Sequence, residues 1–442
     1  MLAKYFDFDQ NRTDLKTEVL AGVTAFLATA YITILNPIIL SQAGMSFPAV
    51  VTATVLVSAL GSILMGLYGK NPIVVAPGMG LNAFFAFSVV AGMGATVEEA
   101  LGAVFWSGVI FVILSVTNIR SKIVKAIPKS QRMAVSCGIG LFIALIGFSN
   151  AGLVVKGQAT LVTAGPLNAV TITFLLGLVL TSIFMVKKIP GGAIVSIFLT
   201  TLMCYPIGRY YGDASFINHG VKTLVSFNGI YSPADFGLLF KMDVIGALKW
   251  GMVPVIFSFV FTDLFDSLST FMGVAEAGNL LDESGDPRNL KESLFCDAIA
   301  TLSSAIFGSS PGTSYIESAA AIQGGGRTGL VAVVAGVLFL PLMFFSPLLS
   351  MIPSIATAPI LVIVGVFMMA PVSKIDWAEL EEGIPAFLAM FLIPLSYSIS
   401  QGIIWGLLSY SVLKLLVGKG GDIPVTLWGI NLLCVLSLYF TH

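Results

Sequence analysis

"NPIVVAPGMGLNAFFAF" (residues 71–87) is apolar enough to lie in a membrane, yet it does not read as one straight helix. It opens on a β-branched run, breaks at Pro77, Gly78 and Gly80, and only then becomes helix-compatible. A second stretch, "GSSPGTSYIESAAAIQGGG" (308–326), repeats the design: Pro311 and Gly312, a short extended piece, then "ESAAAIQ". Each reads as a short strand followed by half a helix, with two ordinary kinked helices as the competing reading. Irregular backbone at membrane depth survives only where protein or a cavity satisfies its polar groups. Two such elements in matching halves of a chain point to a binding site between them.

The remainder of the chain makes the solvent lipid. Of 442 residues, 57% are hydrophobic and 10% charged, against about 25% charged in soluble domains. The mean hydropathy is +0.96. A net charge of -1 provides no field for nucleic acid. Cys137, Cys204, Cys296 and Cys434 are scattered, without a CxxC pair or zinc spacing, and read as small apolar fillers. No metal site or cofactor is expected. The opening "MLAKYFDFDQNRTDLKTEVL" is polar and lacks a signal-peptide pattern, so insertion is expected to use the first span.

Runs long enough to cross occur at 18–41, 49–69, 98–118, 131–149, 168–186, 190–207, 245–273, 288–307, 327–348, 354–372, 383–398 and 402–417. With the two broken segments, 72–92 and 308–322, the expectation is an all-α polytopic membrane protein of about 14 transmembrane segments. Segment 424–440 reads equally as a further crossing or an interfacial tail. With the N-terminus inside, all of the 22 Lys and Arg residues except Lys156, Arg209, Lys222, Lys241 and Lys249 fall on the inner side, including the cluster Arg120, Lys122, Lys125 and Lys129. That is the positive-inside asymmetry. The Gly-, Asn- and Ser-rich loop 208–244 then lies outside and divides two halves, 1–207 and 245–417, with a tail at 418–442. "GLYGKNP" (66–72) stands opposite "AIFGSSP" (305–311), and "AIP" (126–128) opposite "MIP" (351–353). An odd number of spans per half makes the two repeats inverted.

Acids inside spans are costly, about 2.5–3.5 kcal/mol each at a helix centre. "FVFTDLFDSLSTFMG" (259–273) carries two, Asp263 and Asp266, three apart and so on one helix face. Thr262 and Ser267 flank them. Glu317 begins the second half helix, where backbone N–H groups favour an anion or a carbonyl oxygen, and Asn82 lies early in the first. Helix packing, capping and interhelical hydrogen bonding are the plainer roles for these residues. Asp297, nearer the inner end of its span, reads as structural or interfacial. "GGGRTG" (324–329) lacks the GK[ST] ending of a phosphate loop and reads as a tight cytoplasmic turn.

Enzyme signatures are missing. The histidines are His219, in the outer loop, and the terminal His442; no HExxH, GxSxG or Walker A motif occurs. A channel would want a symmetric pore ring. A cation-coupled carrier wants a buried carboxylate that gains and loses a proton, and this sequence offers one.

"EVLAGVTAFLATAYITILNPIIL" (18–40), "VVAPGMGLNAFFAF" (74–87), "TDLFDSLSTFMGVAEAGNLL" (262–281) and "GSSPGTSYIESAAAIQGGGRTGL" (308–330) resemble the nucleobase:cation symporter-2 family, and within it the azaguanine-type purine permeases. The resemblance covers nearly the whole chain. It implies fourteen spans in two inverted repeats of seven, with a core domain (spans 1–4 and 8–11) moving against a gate domain (spans 5–7 and 12–14). It implies a multi-pass protein of the cell (inner) membrane, N-terminus cytoplasmic, that imports adenine, guanine or hypoxanthine in symport with protons by alternating access. Carried over motif by motif, Asn82, Asp263 and Glu317 bind substrate, and Asp263, Asp266 and Glu317 couple the proton. Phe84, with Phe85, is expected to add a flat apolar wall, and Thr313 to join the substrate set. The expected partners are purine, proton and lipid bilayer, with a homodimer compatible. An uncoupled facilitator for a small neutral solute, an anion carrier and a uracil/xanthine carrier of the same fold are the alternatives. A carboxylate suits the donor edge of guanine or hypoxanthine, and an amide the N6/N7 edge of adenine. Guanine and hypoxanthine are slightly favoured.

Overall fold

A computed structural model of the chain describes residues 2–117, 126–216, 218, 220–282 and 285–441. Arg120, Lys122, Lys125, His219 and His442 lie outside the described residues. Eight helical stretches among the described residues are long and apolar enough to cross a membrane, and four shorter apolar helices accompany them. Each expected span has a counterpart, either a helix or a strand joined to a half helix.

The first half runs α1 (Leu15–Thr29), α2 (Ile32–Ser41), α3 (Phe47–Leu64), β1 (Val75–Pro77), α4 (Met79–Ala83), α5 (Val97–Val116), α6 (Lys129–Asn150), α7 (Ala169–Val186) and α8 (Gly192–Cys204). The second runs α9 (Val253–Gly278), α10 (Leu290–Phe307), β2 (Gly312–Ser314), α11 (Ala319–Gln323), α12 (Leu330–Phe339), α13 (Ser354–Met368), α14 (Leu380–Ser396) and α15 (Ile399–Leu416). Local chemistry sets several starts. Asp14 caps α1 by accepting from the Thr17 N–H at 2.8 Å, a bond that holds its carboxyl below the usual range. Thr96 and Glu99 form a capping box before α5, and Asn168 caps α7. The apolar run 245–273 does not begin as helix. Two 3₁₀ turns, Gly246–Leu248 and Trp250–Met252, precede α9, whose first turn holds Pro254.

The two broken segments meet. β1 and β2 pair antiparallel, Val75 opposite Ser314, Ala76 opposite Thr313 and Pro77 opposite Gly312. A two-stranded ribbon leaves outward-facing backbone groups, and side chains satisfy them. Ser62 Oγ donates to the Val75 carbonyl at 3.1 Å and accepts from its N–H at 3.0 Å. Tyr315 Oη donates to the Pro77 carbonyl at 2.5 Å, and Ser318 Oγ accepts from the Val74 N–H at 2.9 Å. This is the internal satisfaction that lipid-embedded backbone demands. After Ala83 the first half helix widens into a π-helix, Phe84–Gly92.

The long helices pack in two groups. α1 and α3 lie on α12, α3 and α5 on α10, and α5 on α9; α6 lies on α13 and α14, α7 on α8 and α13, and α14 on α15. Where α6 crosses α13, a Cβ on Gly365 would stand 2.5 Å from the Gly140 carbonyl oxygen, so glycine is what permits that approach. The face bearing the N-terminus is tied by two charged side chains, Glu18 buried and Arg288 half-buried. Glu18 accepts from the backbone N–H groups of Arg327 and Thr328 and from the Thr328 hydroxyl. Arg288 donates to Asn71 Oδ1 at 3.1 Å, Asn11 Oδ1 at 2.7 Å, and the carbonyls of Lys70 and Arg327. Residues 324–329 form the expected turn. The four cysteines are free and buried. The loop 208–244 is held down: the Asp235 N–H donates to Thr52 Oγ1, and the Asp243 N–H to the Glu98 carbonyl. Residues 425–441 form a helix against α15, with Asn431 Nδ2 donating to Ser411 Oγ at 2.6 Å.

Candidate functional site

The β1–β2 crossing gathers polar side chains that the sequence scatters. Asn82, on α4 just past β1, is fully buried. Its Oδ1 accepts from Ser310 Oγ at 2.5 Å, and its Nδ2 has no hydrogen-bond partner among the described residues. Ser310 also reaches Asn36 of α2 at 3.4 Å, and Asn36 Nδ2 donates to Ser309 Oγ at 3.0 Å and Thr54 Oγ1 at 2.8 Å. The loop before β2 is thereby strung between the two halves.

Opposite stand the acids of α9 and α10. Asp263 is 1% exposed. Its Oδ2 accepts from Thr301 Oγ1 at 2.5 Å, while Oδ1 has no hydrogen-bond partner among the described residues. Asp297 is fully buried and accepts from Ser267 Oγ and, at 2.9 Å, Ser314 Oγ. Ser267 in turn lies 3.0 Å from Thr313 Oγ1. Asp297 thus ties α9, α10 and β2 together. Glu317, half-buried in the 3₁₀ turn Ile316–Ser318 that leads into α11, accepts from the Tyr31 hydroxyl at 2.6 Å.

Asp266 is placed differently. Half-buried, it lines a cavity of about 710 Å³ with Thr262, Phe261 and Phe265 of its own helix. One wall is basic, with Lys129 and Arg132 of α6 and Lys374 past α13; the other is acidic, with Asp266 and Glu276 of α9 and Asp286 beyond it. The Arg132 guanidinium lies over the Phe265 ring, 5.5 Å from its centroid. Asp286 is two residues from Arg288, which reaches Asn11, so this mouth opens on the face bearing the N-terminus.

Of the residues expected to bind substrate or couple the proton, Asp266 alone lines this cavity, with its neighbour Thr262 beside it. Asn82, Asp263 and Thr313 sit behind it at the crossing, with Glu317 alongside. Phe84 and Phe85 are fully buried, Phe84 edge-on to Phe259 with centroids 5.0 Å apart, and the rings on the cavity are Phe261 and Phe265. The physical reason is the short half helix, whose aromatic end turns into the packing against α9. Tyr31, Asn36, Thr301 and Ser310 escaped the sequence reading. Asn36 was the readable one, an amide inside "TILNPIIL"; a lone Tyr or Thr in an apolar run carries no such signal.

Comparison with known proteins adds the following. The model of the family described as Permease family (Xan_ur_permease) matches residues 16–404. The adenine permease AdeP of Escherichia coli (strain K12) is 39% identical over 443 residues, covering 100% of this chain and 96% of the relative. The guanine/hypoxanthine permease PbuO of Bacillus subtilis (strain 168) is 40% identical over 425 residues, covering 95% and 96%. Among solved structures, the transmembrane domain of the cyanobacterial bicarbonate transporter BicA matches with TM-score 0.63 at 18% identity, over 89% of this chain and 97% of that one. This last likeness concerns the fold alone.

Proposed function

The chain belongs to the Xan_ur_permease family, the nucleobase:cation symporter-2 permeases, and from that premise we propose that it imports purine nucleobases in symport with protons by alternating access. The protein is a multi-pass membrane permease. The substrate comes from the printed names of the relatives, adenine for one and guanine/hypoxanthine for the other.

One observation carries the site reading. Two buried polar atoms at the strand crossing lack partners among the described residues, a donor on Asn82 and an acceptor on Asp263. Buried polar groups are rarely left so, and a purine edge offers both an acceptor and a donor. Asn82, Phe84, Asp263, Thr313 and Glu317 form the proposed substrate set, with Phe84 acting through packing rather than contact. Asp263, Asp266 and Glu317 form the coupling set, in which Asp266, on the cavity, exchanges the proton with water. The cavity volume lies in the range of small-molecule sites, about 300–1,000 Å³.

The two packed groups of helices are the proposed core and gate domains, and the cavity lies between α9 of one and α6 of the other. With the N-terminus cytoplasmic, this is an inward-open arrangement. An anion as substrate is disfavoured, because Asp263, Asp266 and Glu317 would repel it. Competition of adenine, guanine, hypoxanthine, xanthine and uracil against radiolabelled purine uptake tests the substrate class. Purines should compete and uracil should not; competition by uracil alone would overturn the reading.

A further inference from the structure

Thr301 of α10 holds one hydroxyl proton between two acceptors. Its Oγ1 stands 2.5 Å from Asp263 Oδ2 and 2.9 Å from the Gly312 carbonyl oxygen. A threonine hydroxyl has one donor and two acceptor lone pairs, so it cannot donate fully to both. The Gly312 carbonyl has little other recourse. Gly312 and Pro77 form a non-hydrogen-bonded pair next to the Gly78 N–H to Pro311 carbonyl bond, so the Gly312 carbonyl faces away from β1, and both β2 and Thr301 are buried. We propose that Thr301 is a positioning residue that transmits the protonation state of Asp263 to β2, the strand that presents Thr313 and leads to Glu317.

The proton accounting is simple. With Asp263 ionised, Thr301 donates to the carboxylate and the Gly312 carbonyl loses its donor. With Asp263 protonated, the acid O–H donates to Thr301 Oγ1, and Thr301 turns its own proton to the Gly312 carbonyl. Asp263 Oδ2, Thr301 Oγ1 and the Gly312 carbonyl are then all bonded, and β2 is pinned to α10. Proton binding thereby orders the strand from which the substrate side chains project. By reciprocity, a substrate that needs the ordered strand favours the protonated acid. Asp297 of α10, Asp266 of α9 and, further along, Glu317 and Tyr315 are the other titratable groups facing this cluster. Asp297 is bonded to Ser267 and Ser314, so it holds the far end of the strand while Thr301 holds the near one.

This inference rests on the proton-coupled purine reading above. The experiment measures purine affinity by calorimetry from acidic to alkaline pH in the full-length protein, for wild type, Thr301→Ser, Thr301→Val and Thr301→Ala. Wild type and Thr301→Ser should show tighter binding in acid, by a coupling factor of about 5–150-fold. Thr301→Val and Thr301→Ala should flatten that dependence to within about twofold, whatever they do to absolute affinity. Either variant suffices should the other not fold. A purely structural Thr301 would weaken binding equally at all pH values, and that result overturns the proposal. Should wild type itself bind purine without pH dependence, the proton-coupled reading falls and this inference with it.

Discussion

Tyr31→Phe removes one oxygen and leaves the packing of a fully buried ring intact. That oxygen donates to Glu317 Oε1 at 2.6 Å, so the mutation strips a donor from a carboxylate at the mouth of the second half helix. A hydrogen bond to a charged group contributes about 1.5–3 kcal/mol, and one between neutral groups about 0.5–1.5 kcal/mol. The predicted destabilisation is therefore about 1.5–3 kcal/mol where Glu317 is charged, which is roughly 10–150-fold in the unfolding equilibrium. The sign with pH follows from the bond itself. Wild type gains most from it when the carboxylate is ionised, so the gap between the two proteins narrows as pH falls and Glu317 takes a proton. Unfolding of wild type and Tyr31→Phe in detergent across a pH series reads the gap directly. A gap that is absent, or that widens in acid, would refute the assignment of Tyr31 as the donor to an ionisable Glu317.

Gly80 faces α6 so closely that an added Cβ would fall 2.5 Å from Ile139 Cγ2. Overpacking of that kind costs about 1–3 kcal/mol; carried into the transport barrier, that slows Gly80→Ala by about 5–150-fold, as measured by initial uptake rates at saturating purine. Asp263→Asn should lose nearly all transport, whereas Asp266→Asn should keep measurable purine binding by calorimetry and lose concentrative uptake. Arg288→Met strips donors from Asn11, Asn71 and two carbonyls, and leaving a buried acceptor unsatisfied costs about 1–3 kcal/mol. It should lower thermal stability without changing which purines compete.

The broken segments were legible because the adjacent pairs Pro77–Gly78 and Pro311–Gly312 disfavour a continuous helix more than the isolated prolines that α2, α13 and α14 carry inside them, and apolar neighbours keep them in the membrane. Their pairing into one ribbon follows from the inverted repeat. Asp263, Asp266 and Glu317 were legible because charge in an apolar span has few innocent uses. What stayed hidden depends on rotation about helix axes and on long-range contacts. Phe84 and Phe261 sit in equally apolar runs, and only the packing of α4 on α9 buries the first and turns the second to the cavity. Tyr31 and Glu317 are joined across 286 positions, a contact that no local pattern announces. The start of α9 was misjudged by several residues, since hydropathy does not distinguish 3₁₀ turns from helix and Pro254 marks a first turn only once the helix is known.

The central claim is that purine moves with a proton. Purified protein in sealed proteoliposomes, loaded with alkaline buffer and diluted into acidic buffer with radiolabelled purine, tests it most directly. Purine should accumulate above the outside concentration, and a protonophore or Asp263→Asn should abolish the accumulation. Uptake that only equilibrates purine, and is indifferent to the protonophore, would make this protein an uncoupled facilitator and contradict the account.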